Sequence, residues 1–287
     1  MARLALVGMA PEEMSAALTE ELEPGPVRLG GMALRNGLLV HGPDHWAVAL
    51  RTRDGRIKVE SGHKPRVRGA LSQLPGVRGL ARLGEAFALL PVVKRRVPDV
   101  QLPFEDAKVL GAMVGSSLLS ALFRRAGRRG AGDEVMVAFL GLAPTALALR
   151  DSELAAYHGV EHKAIAAYEQ GTDAAQAAKE HDRCGSNLVA PMLISSVAGN
   201  LIVRSVLGAR GPLAGVAVTV AGVAASVEMF AWSERNRESP LAQAFRRPGY
   251  EMQRLFATRE PTPEQLEVGR AALAEILRLE APAQAPR

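Results

Sequence analysis

A single cysteine, Cys184, stands among 287 residues, so no internal disulfide can form and a secreted, disulfide-stapled fold is excluded. Aromatic residues are scarce at 4%, although 48% of the chain is hydrophobic, so Ala, Leu and Val must fill the core. Three phosphate- or nucleophile-bearing loops are missing too: G-x-x-x-x-G-K-[ST], G-x-G-x-x-G and G-x-S-x-G. Nucleotide and serine-hydrolase chemistries therefore lack their usual foothold. Lysine occurs at only six positions, so the net charge of +5 is carried by arginine. Arginine suits phosphate and nucleic acid. Here, however, it comes in short groups beside apolar stretches: Arg124-Arg125 with Arg128-Arg129, Lys94 to Arg96, and Arg246-Arg247. Such groups flank membrane spans or cap helices, and a nucleic-acid partner is not expected.

A mean hydropathy of +0.04 lies between that of a soluble enzyme and a polytopic membrane protein, so the arrangement along the chain has to decide. Met1 to Ala10 is short, mixed and followed by Glu12 and Glu13, which reads as no cleaved signal peptide. From Gly30 to Ser61 the pattern is strand-like: Leu38 to Val40, an alternating Trp46 to Arg53, a type I′ turn at Asp54-Gly55, and a return over Arg56 to Ser61. Gly30-Gly31 and Gly42-Pro43 read as sharp backbone turns. Leu80, Leu83, Phe87 and Leu90 then mark one face of an amphipathic helix between about Pro75 and Val93.

Four apolar stretches follow. Val109 to Phe123 and Val135 to Leu149 each run 15 residues without charge, Gly185 to Val203 runs 19, and Gly211 to Val227 runs 17. A bilayer span takes about 20 residues, so the last two qualify and the first two are borderline. They are Gly- and Ala-rich and apolar all round, as membrane helices are and soluble ones usually are not. If all four cross, the N-terminal region, the segment 150–184 and the C-terminal tail share the cytoplasmic side. Beyond Ser233 the chain turns polar. Thr262-Pro263-Glu264-Gln265 makes a capping box for a helix to about Leu279, with Leu266, Leu273, Ile276 and Leu277 on one face. Ala281 to Arg287 reads as a frayed tail.

The sharpest chemical signal is Tyr157-His158-Gly159-Val160-Glu161-His162-Lys163. In a helix, His158 and His162 fall one turn apart on one face, where two imidazoles can share a metal ion, with Glu161 beside them. This is the H-x-x-E-H order of inverted zinc proteases, in which the glutamate takes a proton from metal-bound water. His181 and Cys184 follow closely, bringing four of the chain's seven His and Cys residues into 27 positions. Glu228 interrupts an apolar run, and a carboxylate there is costly unless paired or functional. It reads as a further ligand or acceptor for the histidines, as the end of a span, or as a partner of Arg204. His41, His45 and His63 are dispersed, and a ligand from the hairpin region stays open.

These residues resemble the YqhQ-like family of bacterial membrane proteins, a domain of unknown function described as a predicted metal-dependent enzyme. The resemblance runs from about Gly30 to Ala272. It is carried by Gly30-Gly31-Met32-Ala33 with Gly37 and Gly42-Pro43, by Tyr157-His158-Gly159 with Glu161-His162-Lys163 and Tyr168-Glu169, by Arg183-Cys184-Gly185, and by Thr258-Arg259-Glu260-Pro261. It implies a site on His158, Glu161, His162, His181 and Cys184, with Glu228 matching a glutamate of the last span. Met32 and Asn36 depart from the pattern, standing where the family tends to have glutamine and glutamate.

The expectation is a mainly α, polytopic helical membrane protein of the cell inner (cytoplasmic) membrane with a small N-terminal β-hairpin-containing module. Its parts are an extension at 1–30, a soluble β-containing module with an amphipathic helix at 31–105, membrane helices at 106–233 enclosing a metal-site segment at 150–186, and C-terminal amphipathic helices at 234–287. The expected activity is metal-dependent hydrolysis at the membrane interface. Zn2+ or another divalent metal would be held by His158, His162 and some of His181, Cys184 and Glu228, with Glu161 as general base. The expected partners are the lipid bilayer and a lipid-linked or membrane-adjacent substrate. The alternative is a non-enzymatic membrane assembly factor or small transporter with a structural metal or a proton-handling site.

Overall fold

The computed structural model describes residues 27–66, 74, 76–125, 131–205 and 212–281. The readings of residues 1–26, of Arg128-Arg129 and of most of the C-terminal tail lie outside them. Four strands form an antiparallel meander in the order β1 (Gly30–Leu34), β2 (Gly37–His41), β3 (His45–Arg51) and β4 (Ile57–His63). Register is fixed through Met32↔Leu39, Leu39↔Val48 and Val48↔Glu60.

Successive strand residues face opposite sides, and here both sides are covered. Leu38, Val40, Ala47 and Ala49 join one core, whereas Leu34, Leu39, Trp46, Val48 and Leu50 join another. The alternation expected of Trp46 to Arg53 therefore separates two interiors rather than core from water. The second core is closed by helix α1 (Val77–Arg96) through Leu89, Leu90 and Val93, with Val97, Val100 and Leu102 behind it. Phe87, assigned to the buried face of α1 by its spacing, is 56% exposed instead.

Two turn readings need correction. Gly30 and Gly31 lie in β1 without positive φ, so they make no turn. They are small because other side chains lie on them: a Cβ on Gly30 would meet the His41 ring at 2.8 Å, and one on Gly31 the Glu161 side chain at 2.7 Å. At the β3–β4 connection only Gly55 has positive φ, at 82°, and its N–H donates to the Thr52 carbonyl. Asp54 stays at negative φ, so the turn is type I followed by a left-handed glycine, not type I′.

Helices α2 (Ala107–Arg125) and α3 (Ala131–Ala148) form one antiparallel pair, and α5 (Val189–Ser205) and α6 (Pro212–Arg235) another. Among the described residues, two helices are long and apolar enough to cross a membrane, Gly185–Val203 and Gly215–Arg235, each only 17% buried. A third becomes possible if α3 and α4 (Ser152–Gln170), bent by 92°, count as one span. The shorter α2 is apolar as well, and its Leu110, Val114, Leu118 and Leu122, four residues apart, are all exposed.

Helix α4 is the centre of the first core. Asp151 caps it by accepting from Glu153 and Leu154, Gly171 ends it at φ 64°, and buried Tyr157, Val160, Ala166 and Ala167 seat it in that core. Helix α7 (Pro240–Met252) leads through a π turn, Gln253–Ala257, to α8 (Pro263–Glu280). The expected capping box is present, with Thr262 accepting from Gln265 N–H and the Gln265 side chain accepting from Thr262 N–H. Leu266, Val268, Ala272 and Ile276 then pack in the same core as α4 and the sheet.

Candidate metal centre

Helix α4 holds His158 and His162 one turn apart, with ring centroids 4.4 Å from each other. Both rings are anchored through Nδ1 by backbone carbonyls: His158 by Ala257 at 2.8 Å and His162 by Lys179 at 2.6 Å. A carbonyl only accepts, so each Nδ1 carries a proton, and in the neutral ring Nε2 is then the nitrogen that presents a lone pair. Burial, then the neighbouring His158, keep His162 well below its ordinary pKa, in the neutral form that binds metals. His162 Nε2 is buried and has no hydrogen-bond partner among the described residues.

Cys184 closes the group. It caps the short 3-10 turn Gly185–Leu188, where its Sγ accepts from Ser186 N–H, and that Sγ lies 3.3 Å from His158 Nε2. One ligand atom each from His158, His162 and Cys184 lie within 4.8 Å of one another. Burial raises the Cys184 thiol pKa, a shift that a bound cation would reverse.

The surrounding loop is tied to α4 by polar groups. Lys163, almost fully buried, donates to the carbonyls of Ala175 and Ala177 and pairs with Glu260 at 2.7 Å. Gln253, fully buried, accepts from His181 N–H and donates to the His181 carbonyl and to Ser186 Oγ. On the other side Gly159 admits the chain at Arg259, whose carbonyl lies 2.2 Å from where a Cβ would stand. Arg259 N–H donates to Ala155. These contacts bring Ala257 to His158.

The other expected site residues are distributed around this trio. Glu161 lies on α4 against Gly31, and Ala33 N–H donates to it. Burial raises its pKa to about 7, with His158 acting against the shift and Cys184 adding to it. His181 sits beside the trio, its ring 5.7 Å from that of His162, but its Nε2 faces Glu169 at 3.4 Å and its Nδ1 accepts from Arg183 N–H. Glu228 is taken up elsewhere: Arg78 grips both its oxygens, at 2.7 and 3.1 Å, and Gly76 N–H donates to it. Its partner is thus Arg78 of α1, and α6 continues past it to Arg235.

His41 lies over Gly30, and His45 stacks on His63 at 4.6 Å. None of the three joins the trio. Asn36 bridges the Asp99 carbonyl and Gln101 N–H, and Met32 packs against the second core. Both departures thus serve sheet packing. Sequence reasoning missed Gln253 and the two anchoring carbonyls, which no local pattern marks; Gly31, under Glu161, was visible but was read as a turn.

The His158/His162/Cys184 group, with the Glu161 carboxylate on the same helix as both histidines, defines a candidate metal centre set at the end of apolar helices. Residues 146–279 match the family described as "Protein of unknown function (DUF1385)". The chain is also similar to "Uncharacterized protein YqhQ" of Bacillus subtilis (strain 168), with 27% identity over 305 aligned residues covering 89% of this chain and 94% of that one. Both matches support a YqhQ-like family. No solved structure matches.

Proposed function

We propose that this chain is a metal-dependent hydrolase working at a membrane surface. The observation that carries the reading is His162 Nε2, buried and without a partner among the described residues, gathered with His158 and Cys184 within 4.8 Å. An unpaired buried nitrogen costs about 1–3 kcal/mol, a cost that a cation would remove. Imidazole, imidazole and thiolate suit zinc, and three protein ligands leave a fourth position open, as catalysis requires. His158, His162 and Cys184 would hold the ion, which supplies Lewis acidity and lowers the pKa of water toward about 7.

The chain's own groups do the rest. The Ala257 and Lys179 carbonyls hold both imidazoles in the tautomer that offers Nε2. Glu161, with a pKa of about 7, can take a proton near neutrality and return it to a leaving group. His181, kept below its ordinary pKa chiefly by burial, forms the neighbouring wall with Glu169. The exposed apolar side chains of α2, α3, α5 and α6 support a bilayer next to this centre. Membrane attachment and zinc are part of the same proposal.

The test is elemental analysis of the full chain in detergent, wild type beside His158→Ala/His162→Ala. About one zinc or similar ion per chain, lost in the variant while helical content persists, is the expected result. No bound metal after reconstitution under reducing conditions overturns the reading in favour of the membrane scaffold or transporter.

A further inference from the structure

An open cleft of about 640 Å³ lies along α7, lined by Asp182, Asn187, Gln243, Arg246, Arg247 and Tyr250 among others. Its wall adjoins the candidate metal centre. Asp182 and Asn187 stand two positions before and three after Cys184, and Asn187 N–H donates to the Cys184 carbonyl. Helix α7 is pressed onto this turn: Ser186 Oγ donates to Gly249, and a Cβ there would fall 2.3 Å from Asn187 Oδ1. The same turn opens α5, and α7 follows α6, so the cleft sits at the shared end of the two described helices that are long and apolar enough to cross a membrane.

The charges in and around the cleft do not balance. Asp182 and Glu234 are each shared by Arg237 and Arg246, at 2.6–3.6 Å. Arg247 remains exposed, with no ion-pair partner among the described residues, and three guanidiniums stand against two carboxylates. Arg246 uses only Nη1 for its loose pairs, while its Nε is buried without an acceptor among the described residues. Guanidinium forks left with unused donors suit a tetrahedral oxyanion. The volume exceeds that of a bare anion and fits an attached organic group. Tyr250, Pro240, Pro248 and Ala244 supply the less polar wall.

We propose that this cleft seats the phosphate of a phosphate ester, held by Arg247 and Arg246, beside the centre proposed above. It names a substrate class for that reading and rests on it only for what happens next to the bound phosphate. The location at the end of α5 and α6 favours an amphiphile, whose apolar chains would lie along those helices.

Binding is measured by calorimetry on the full chain in detergent. The probes are dihexanoyl phosphatidic acid, glycerol 3-phosphate and uncharged dihexanoylglycerol, tested on wild type, Arg247→Gln and Arg247→Lys. Phosphatidic acid is expected to bind, about tenfold or more weaker in Arg247→Gln and partly restored in Arg247→Lys. Comparable binding of glycerol 3-phosphate supports the site with a free ester as its source, and binding of phosphatidic acid alone supports an amphiphile. The proposal is overturned if neither phosphate probe binds, if dihexanoylglycerol binds as tightly, or if Arg247→Gln binds like wild type. In His158→Ala/His162→Ala, phosphate binding should survive. Phosphate binding by a wild type that holds no metal refutes the hydrolase and leaves the cleft standing; metal without phosphate binding refutes the cleft alone.

Discussion

Replacing Gly159 by alanine tests whether the chain at Arg259 really clamps α4. In a helix interior, alanine is favoured over glycine by about 1 kcal/mol. At this position the new Cβ would stand 2.2 Å from the Arg259 carbonyl oxygen, so one of two costs must be met. Either the packing absorbs the overlap at about 1–3 kcal/mol, or residues 257–259 lift away. Lifting gives up the bonds from Arg259 N–H to Ala155 and from His158 to Ala257, at about 1 kcal/mol each. Both routes cost about 2 kcal/mol, leaving Gly159→Ala net destabilised by about 1 kcal/mol. Gly84 is the control: it lies inside α1 with nothing within 4 Å of a Cβ, so Gly84→Ala should gain up to about 1 kcal/mol. Thermal unfolding in one detergent, followed by helical circular dichroism, should place the two variants on opposite sides of wild type. Equal shifts, or a more stable Gly159→Ala, would refute the clamp.

Glu161→Gln should change the pH dependence of stability in metal-free protein. The folded pKa, about 7, lies above the unfolded value near 4.5, so the contribution of this one group is fully present below that lower value and is lost as pH rises through 7. The glutamine variant should match wild type at pH 4 and exceed it at pH 8, and the opposite order in denaturant titrations would sink the assignment. Lys163→Met removes the anchor of residues 175–177 at a cost of about 2–3 kcal/mol, so limited proteolysis within 171–184 should accelerate; an unchanged cleavage rate would count against it. Glu228→Gln weakens the contact with Arg78 but should leave metal content unchanged in elemental analysis, and loss of metal would place Glu228 in the centre after all.

What could be read from the sequence is what neighbouring residues decide. The H-x-x-E-H spacing lies within two turns of α4, and the Thr262 capping box spans four residues; both formed as expected. The hairpin from His45 to His63 was visible in its alternation, but its turn type depended on the φ of Asp54, which an Asp-Gly pair does not fix. Strand β1 was hidden because two glycines signal a turn unless one knows that His41 and Glu161 need their space. For Glu228 the sequence offered Arg204 as the nearby cation, whereas Arg78, its partner in the structure, is 150 residues away. The anchors of the histidines are carbonyls, which every residue has and no letter code distinguishes.

Those carbonyls set an order of assembly. Every candidate ligand precedes residue 185, yet His158 takes its bond from Ala257, and Gln253 fixes the backbone of His181. A nascent chain that has emerged only as far as the end of α6 would carry the complete ligand set with one imidazole free to turn. The segment Gln253–Ala257 acts as the closing piece, so a metal arriving before that segment has folded back would meet an unfinished site.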